Sequence, residues 1–110
     1  ILAKINAHGG AIPETYGVPV AQIQQGIQHG VRKINIDTDL RLASTAAIRE
    51  YLSNHPAEFD PRKYLGAASL AIQSICKDRF VAFGSAGHAD KISSVGLRAM
   101  VSVYANAVGV

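Results

Sequence analysis

Asn35, Asp37, Thr38 and Asp39 crowd the end of the stretch Val31-Arg32-Lys33-Ile34-Asn35-Ile36-Asp37-Thr38-Asp39. They bring a carboxamide, two carboxylates and a hydroxyl to the close of a run rich in β-branched residues. In α/β proteins, ligands bind beyond the carboxyl ends of parallel strands. Side chains two apart share a strand face, so Asn35 and Asp37 point together while Ile34 and Ile36 point into packing. A helix beginning near Asp39 or Leu40 turns its positive end the same way, which suits a phosphate. A plainer reading stands beside this one: a strand-to-helix turn in which Asp37 or Thr38 merely caps the helix.

Other reactive side chains are scattered. His29 precedes Gly30 at an expected helix end, where a partly protonated imidazole complements the dipole. His55 and His88 fall in expected loops with no second ligand at metal spacing. Cys76, the single cysteine, sits on the apolar face of a long helix and reads as inert core. Arg32 and Lys33 are adjacent on the strand and point to opposite faces. Nothing marks Lys33 as a Schiff-base lysine, which needs a desolvated pocket.

These groups need elements to hold them. Residues 1–8 read as a short helical piece, with Leu2 and Ile5 three apart, stopped by Gly9-Gly10. Residues 11–19 form a loop, and Pro19 suits the first turn of the next helix. There Val20, Ile23 and Ile27 share a face, and Gly30 terminates the run. Val31 to Ile36 is the one convincing strand. The helix after it carries Leu40, Ala43, Ala47 and Tyr51 on one face, widened by Ile48 and Leu52. Asp60-Pro61 starts a longer helix, with Asp as cap and Pro at the first helical position. That helix is expected to bury Leu65, Ala68, Ile72, Ile75, Cys76 and Phe80 and to end near Gly84. Gly84 to Asp90 reads as a turn, and Ser94 as the cap of a last helix carrying Leu97, Met100, Val101 and Tyr104. A single strand leaves its backbone donors and acceptors unpaired, so another copy or further polypeptide must supply its neighbours.

Composition narrows the classes. The chain has 110 residues, 48% hydrophobic and 17% charged, which is globular and not disordered. The net charge of +3 is spread out, with no basic run longer than Arg32-Lys33. That is compatible with a phosphorylated metabolite and falls short of a nucleic-acid stripe. No apolar run approaches the roughly 20 residues that span a membrane. A lone cysteine points to a reducing, cytoplasmic setting. The start, Ile1 to Asn6, has neither an initiator methionine nor a signal-peptide layout, and we expect a piece of a longer polypeptide.

The segments "GGAIPETYGVPVAQIQQGI", "HGVRKINIDTDLRLASTAAIREYL", "EFDPRKY" and "CKDRFVAFGSAGHADKI" closely resemble the C-terminal part of class II fructose-bisphosphate aldolases. These are zinc-dependent (β/α)8, or TIM-barrel, enzymes of glycolysis, gluconeogenesis and the Calvin cycle. The resemblance covers nearly the whole chain and loosens in the last fifteen or so residues. There Leu97, Met100 and Tyr104 keep the family's terminal-helix pattern, but the end is apolar where relatives end charged. The "IPETYGVP" loop points to a bacterial, Calvin-cycle-like branch.

The resemblance implies an α/β fold in which this chain, mostly helical by itself, is the C-terminal segment of one barrel domain. Residues 30–54 would be the last barrel strand and its helix, and residues 60–110 a C-terminal helical extension. It implies reversible cleavage of fructose 1,6-bisphosphate to dihydroxyacetone phosphate and glyceraldehyde 3-phosphate, in a homo-oligomer. Asn35, Ile36, Asp37 and Thr38 would bind dihydroxyacetone phosphate. Backbone N–H groups and the Thr38 hydroxyl would take its phosphate, and Asn35 the region of its carbonyl. Arg62 would reach the second phosphate from a neighbouring subunit; a guanidinium forks onto phosphate oxygens and stays charged. Zinc would polarise the ketone, held by ligands upstream of residue 1, as would the acid/base carboxylates be. His8, in "HGG", imitates a metal ligand, but its position relative to "IPETYGVP" places it in a helix-end turn. The segment alone would hold no catalytic residue. A competing class is a non-catalytic phosphate-binding or helical interaction module.

Overall fold

The structure, a computed structural model, describes residues 1–108. Its helices are α1 (Leu2–Ala7), α2 (Val20–Gln28), α3 (Thr38–Asn54), α4 (Pro61–Ala82) and α5 (Leu97–Val108), with a 3₁₀ turn at Ala89–Lys91. Their ends follow from local chemistry. After α1, Gly9 adopts φ +80°, and the N–H of Gly10 donates to the Ile5 carbonyl at 2.9 Å. This is the six-to-one closure that a glycine in the left-handed region permits. The same bond closes α2, from Val31 to Gly26, and α4, from Ser85 to Phe80, each at 2.9 Å. At the start of α4, the Asp60 carboxylate accepts from the Arg62 N–H at 3.0 Å with Pro61 in the first turn, as its sequence predicts.

Helix α3 is the hub, packing on both α4 and α1. Among the described residues the buried apolar side chains are Ile5, which is fully enclosed, and Ala43, Ala46 and Ala68. The three alanines let helices approach closely, since axial distance follows the side chains at the contact. Polar ties support the α1–α3 contact: Lys4 pairs with Glu50 at 2.6 Å, and Arg49 donates to the Gly9 carbonyl at 2.9 Å. The assembly is elongated, 61 × 33 × 28 Å with a radius of gyration of 19.5 Å. A compact domain of about 100 residues has a radius near 13 Å.

Three expectations need correction. No β-strand forms among the described residues, so the strand part of the α/β expectation is not realised: Val31 to Ile36 carries no regular structure. The physical reason is the one its sequence poses, since a ladder needs a second strand and residues 1–108 offer none. Leu65 and Phe80, expected in the core, are more than half exposed, because α4 meets α3 along one narrow line and no second layer covers its remaining apolar side chains. Helix α5 begins at Leu97, with Gly96 and not Ser94 immediately before it. The apolar end noted above extends to Gly109 and Val110, which lie outside the described residues. Small boundary shifts also occur: Pro19 is the N-cap of α2, and α3 starts at Thr38.

Candidate functional site

The polar end of the 31–39 stretch forms one wall of a cleft of about 300 Å³. Asn35, Ile36, Asp37 and Thr38 all line it, with Ile34, Asp39, Arg79 of α4, Ile23 of α2, and Gly17 and Val18 of the 11–19 loop. Exposure alternates along the segment: Lys33, Asn35 and Asp37 are open, and Ile34 and Ile36 half-buried. The two isoleucines therefore anchor the backbone while Asn35 and Asp37 stay available, as the period-two pattern requires.

The first turn of α3 is the chemical centre of this cleft. Asp37 occupies the N-cap position, with φ −131° and ψ −60°, but its side chain makes no capping bond. Its carboxylate instead accepts from Arg41 Nε at 2.7 Å. That ion pair holds the Arg41 guanidinium above its ordinary pKa, chiefly through the hydrogen bond and then through the charge of Asp37. The leading N–H groups of a helix have no partner within the helix. With the usual cap engaged elsewhere, no side chain takes those of α3 among the described residues. An uncapped helix start of this kind, with a hydroxyl at Thr38, suits an anion.

Arg62 is not in this cleft. It lies at the start of α4 with its side chain 88% exposed, forked on its own neighbour. Its Nε donates to both Asp60 oxygens at 3.0 Å and its Nη2 to Oδ2 at 2.6 Å. The pair lowers the Asp60 carboxyl from its usual range, first through the Arg62 side-chain bonds, and raises the Arg62 guanidinium. Thus Asn35 to Thr38 come together, and Arg62 stands apart.

Arg79 is the lining residue that sequence reasoning missed. Its Nη2 donates to Asp39 Oδ2 at 2.6 Å, and the two side chains are only 20% and 22% exposed. A signal was present: Ile72, Ile75, Cys76 and Arg79 follow the spacing of one helix face, so a cation fell on the apolar stripe and needed a partner. Arg79 also borders a neighbouring apolar groove of about 620 Å³ between residues 27–36 and the end of α4, and Cys76 lines that groove in place of a closed core. The histidines serve helix ends. His29 is the C-cap of α2. His55 stacks on Tyr51, ring centroids 4.3 Å apart, with Nδ1 2.9 Å from the Tyr51 carbonyl. His8 is the C-cap of α1. Among the described residues no three His, Cys, Asp or Glu side chains converge on a possible metal position, so these residues do not fit a zinc site.

Comparison with known proteins bears on this geometry. The family model described as fructose-bisphosphate aldolase class-II matches residues 3–88. The fructose-bisphosphate aldolase of Nostoc sp. is 56% identical over 105 residues, covering 96% of this chain and 29% of that protein. Those of Stutzerimonas stutzeri and Pseudomonas aeruginosa are each 58% identical, covering 96% and 94% of this chain and 30% and 29% of theirs. The chain therefore spans under a third of the length of the curated relatives it matches.

Proposed function

This chain belongs to the class II fructose-bisphosphate aldolase family, and from that premise we propose that it is part of an enzyme that reversibly cleaves fructose 1,6-bisphosphate to dihydroxyacetone phosphate and glyceraldehyde 3-phosphate. Residues 30–54 supply the last strand and helix of a (β/α)8 barrel, and residues 60–110 a C-terminal helical extension. One observation carries the reading: Asn35, Ile36, Asp37 and Thr38 share a cleft at a helix start that no side chain caps. The N–H groups of that turn and the Thr38 hydroxyl hold the phosphate of dihydroxyacetone phosphate, and the Asn35 carboxamide orients the substrate near its carbonyl. Ile36 sets the backbone and Asp37 the charge at the rim.

Arg62 serves the second phosphate of a site in a neighbouring subunit, in a homo-oligomer. Its exposed, forked guanidinium supports this role, because Asp60 presents it in the planar geometry that also fits phosphate oxygens. Zinc and the proton-moving carboxylates come from polypeptide outside the described residues. The enzyme works in the cytoplasm. No helix among the described residues is long and apolar enough to cross a membrane.

The test uses the full-length polypeptide that carries this segment. Asn35→Ala and Thr38→Val should each weaken dihydroxyacetone phosphate binding, about tenfold where Thr38 loses a charge-assisted hydrogen bond to phosphate and less where Asn35 loses a neutral one, and lower cleavage. Residues 1–110 alone, with zinc added, should show no turnover. Undiminished binding in both variants, or turnover by the isolated segment, contradicts the proposal. The exposure of Phe59 (89%) and Leu97 (81%) favours a second reading, a helical interaction module. A full-length polypeptide that neither cleaves nor binds the sugar phosphate, yet still associates, would select it.

A further inference from the structure

We propose that Arg79 is a positioning residue whose task is to neutralise Asp39, so that a phosphate can settle at the first turn of α3. The inference rests on the reading that a phosphate docks there.

The charges of the cleft are two carboxylates, Asp37 and Asp39, against one cation in its lining, Arg79. Both carboxylates belong to the turn whose N–H groups would receive the anion. An acidic side chain in a first helical turn is itself attracted to the positive end. It therefore competes with a bound phosphate and repels it. Asp37 is answered by Arg41 in an exposed pair, which solvent and salt screen strongly. Asp39 is different. Its side chain is mostly covered and lies against the 11–19 loop: a Cβ on Gly17 would stand 3.3 Å from Asp39 Oδ1. Water cannot damp its charge well there, and the one cation on it is Arg79, at 2.6 Å.

This contact joins α3 to α4 across 40 positions of sequence. Three elements, the 11–19 loop, the start of α3 and the end of α4, meet at one ion pair in the cleft wall. Arg79 also sits in the last turn of α4, where the helix dipole favours a cation. Arginine suits such a site because it remains charged when partly buried.

The two halves of the pair give opposite forecasts, which separates this role from a structural one. Breaking a structural tie from either side should do similar harm. Neutralising a repulsive carboxylate should help an anion bind, and exposing it should hinder. In the full-length, zinc-loaded polypeptide, the dissociation constant of dihydroxyacetone phosphate is measured by titration calorimetry at low and high salt, with KM and kcat for fructose 1,6-bisphosphate.

Asp39→Asn should bind more tightly. Arg79→Met should bind about tenfold more weakly, an effect that persists as salt rises because the unpaired Asp39 charge is mostly covered, and should raise KM by more than it lowers kcat. Arg79→Lys should keep most of the affinity, and the double variant Asp39→Asn with Arg79→Met should recover most of what Arg79→Met loses. Weaker binding in both single variants, or a double variant no better than Arg79→Met, overturns the proposal. If Arg79→Met fails to fold, Asp39→Asn alone decides, tighter binding supporting the role and weaker binding overturning it. A wild-type protein that does not bind dihydroxyacetone phosphate sinks the underlying reading, and this inference with it.

Discussion

The pair Asp60–Arg62 shows how one residue can serve structure and chemistry together. Asp60 caps α4 through the Arg62 N–H and grips the Arg62 side chain at the same time. Its carboxyl pKa is lowered when folded, first by the side-chain bonds, then by the Arg62 backbone N–H. A depressed carboxylate stabilises the fold fully above its unfolded pKa, near 3.9 for Asp. That contribution disappears as pH falls through the lower folded value. We expect the Asp60 carboxyl to titrate below about 3.9 by NMR, and Asp60→Asn to blunt the acid-side loss of α4 helicity. An Asp60 titration at or above the free value would sink this account. Asp60 and Pro61 were legible because capping is local. The fork of Arg62 onto Asp60 was not anticipated, although the two residues lie within one helical turn.

At the scale of elements, glycine context decides the sign of a substitution. A Cβ on Gly10 would stand 2.4 Å from Ile5 Cγ2 and 2.7 Å from the Ile5 carbonyl oxygen, whereas one on Gly66 would meet nothing within 4 Å. Gly10→Ala should therefore destabilise by about 1–3 kcal/mol through overpacking. Gly66→Ala, inside α4, should stabilise by about 0.5–1 kcal/mol, the usual difference between glycine and alanine in a helix interior. Paired urea melts of the full-length polypeptide check both, and two shifts of the same sign would contradict the argument. Arg49→Ala should loosen α1 from α3, since it removes the donor to the Gly9 carbonyl. Faster amide exchange confined to residues 2–10 is the expected signature.

For the whole molecule, the small core and the large exposed side chains point one way. Among the described residues Ile5 is the one large buried side chain, and its burial contributes only about 1.5–3 kcal/mol. Phe59, Leu70, Val81, Ile92, Leu97 and Tyr104 remain largely open. Residues 1–110 produced alone should unfold with a broad, weakly cooperative transition, bind a hydrophobic dye and associate at raised concentration. A sharp two-state melt from a monodisperse monomer would refute this. The same side chains in the full-length polypeptide should be protected from solvent.

What residues 1–110 determined by themselves is everything governed by near neighbours. The helices, the glycine closures of α1, α2 and α4, the Asp60 cap and the alternation that leaves Asn35 and Asp37 open all depend on contacts within a few positions. Tertiary structure alone decided two things. It left Val31 to Ile36 without a ladder, because strand pairing is non-local and its partner is absent from these residues. It also brought Arg79 to Asp39, because an ion pair across 40 positions exists only once α3 and α4 have packed.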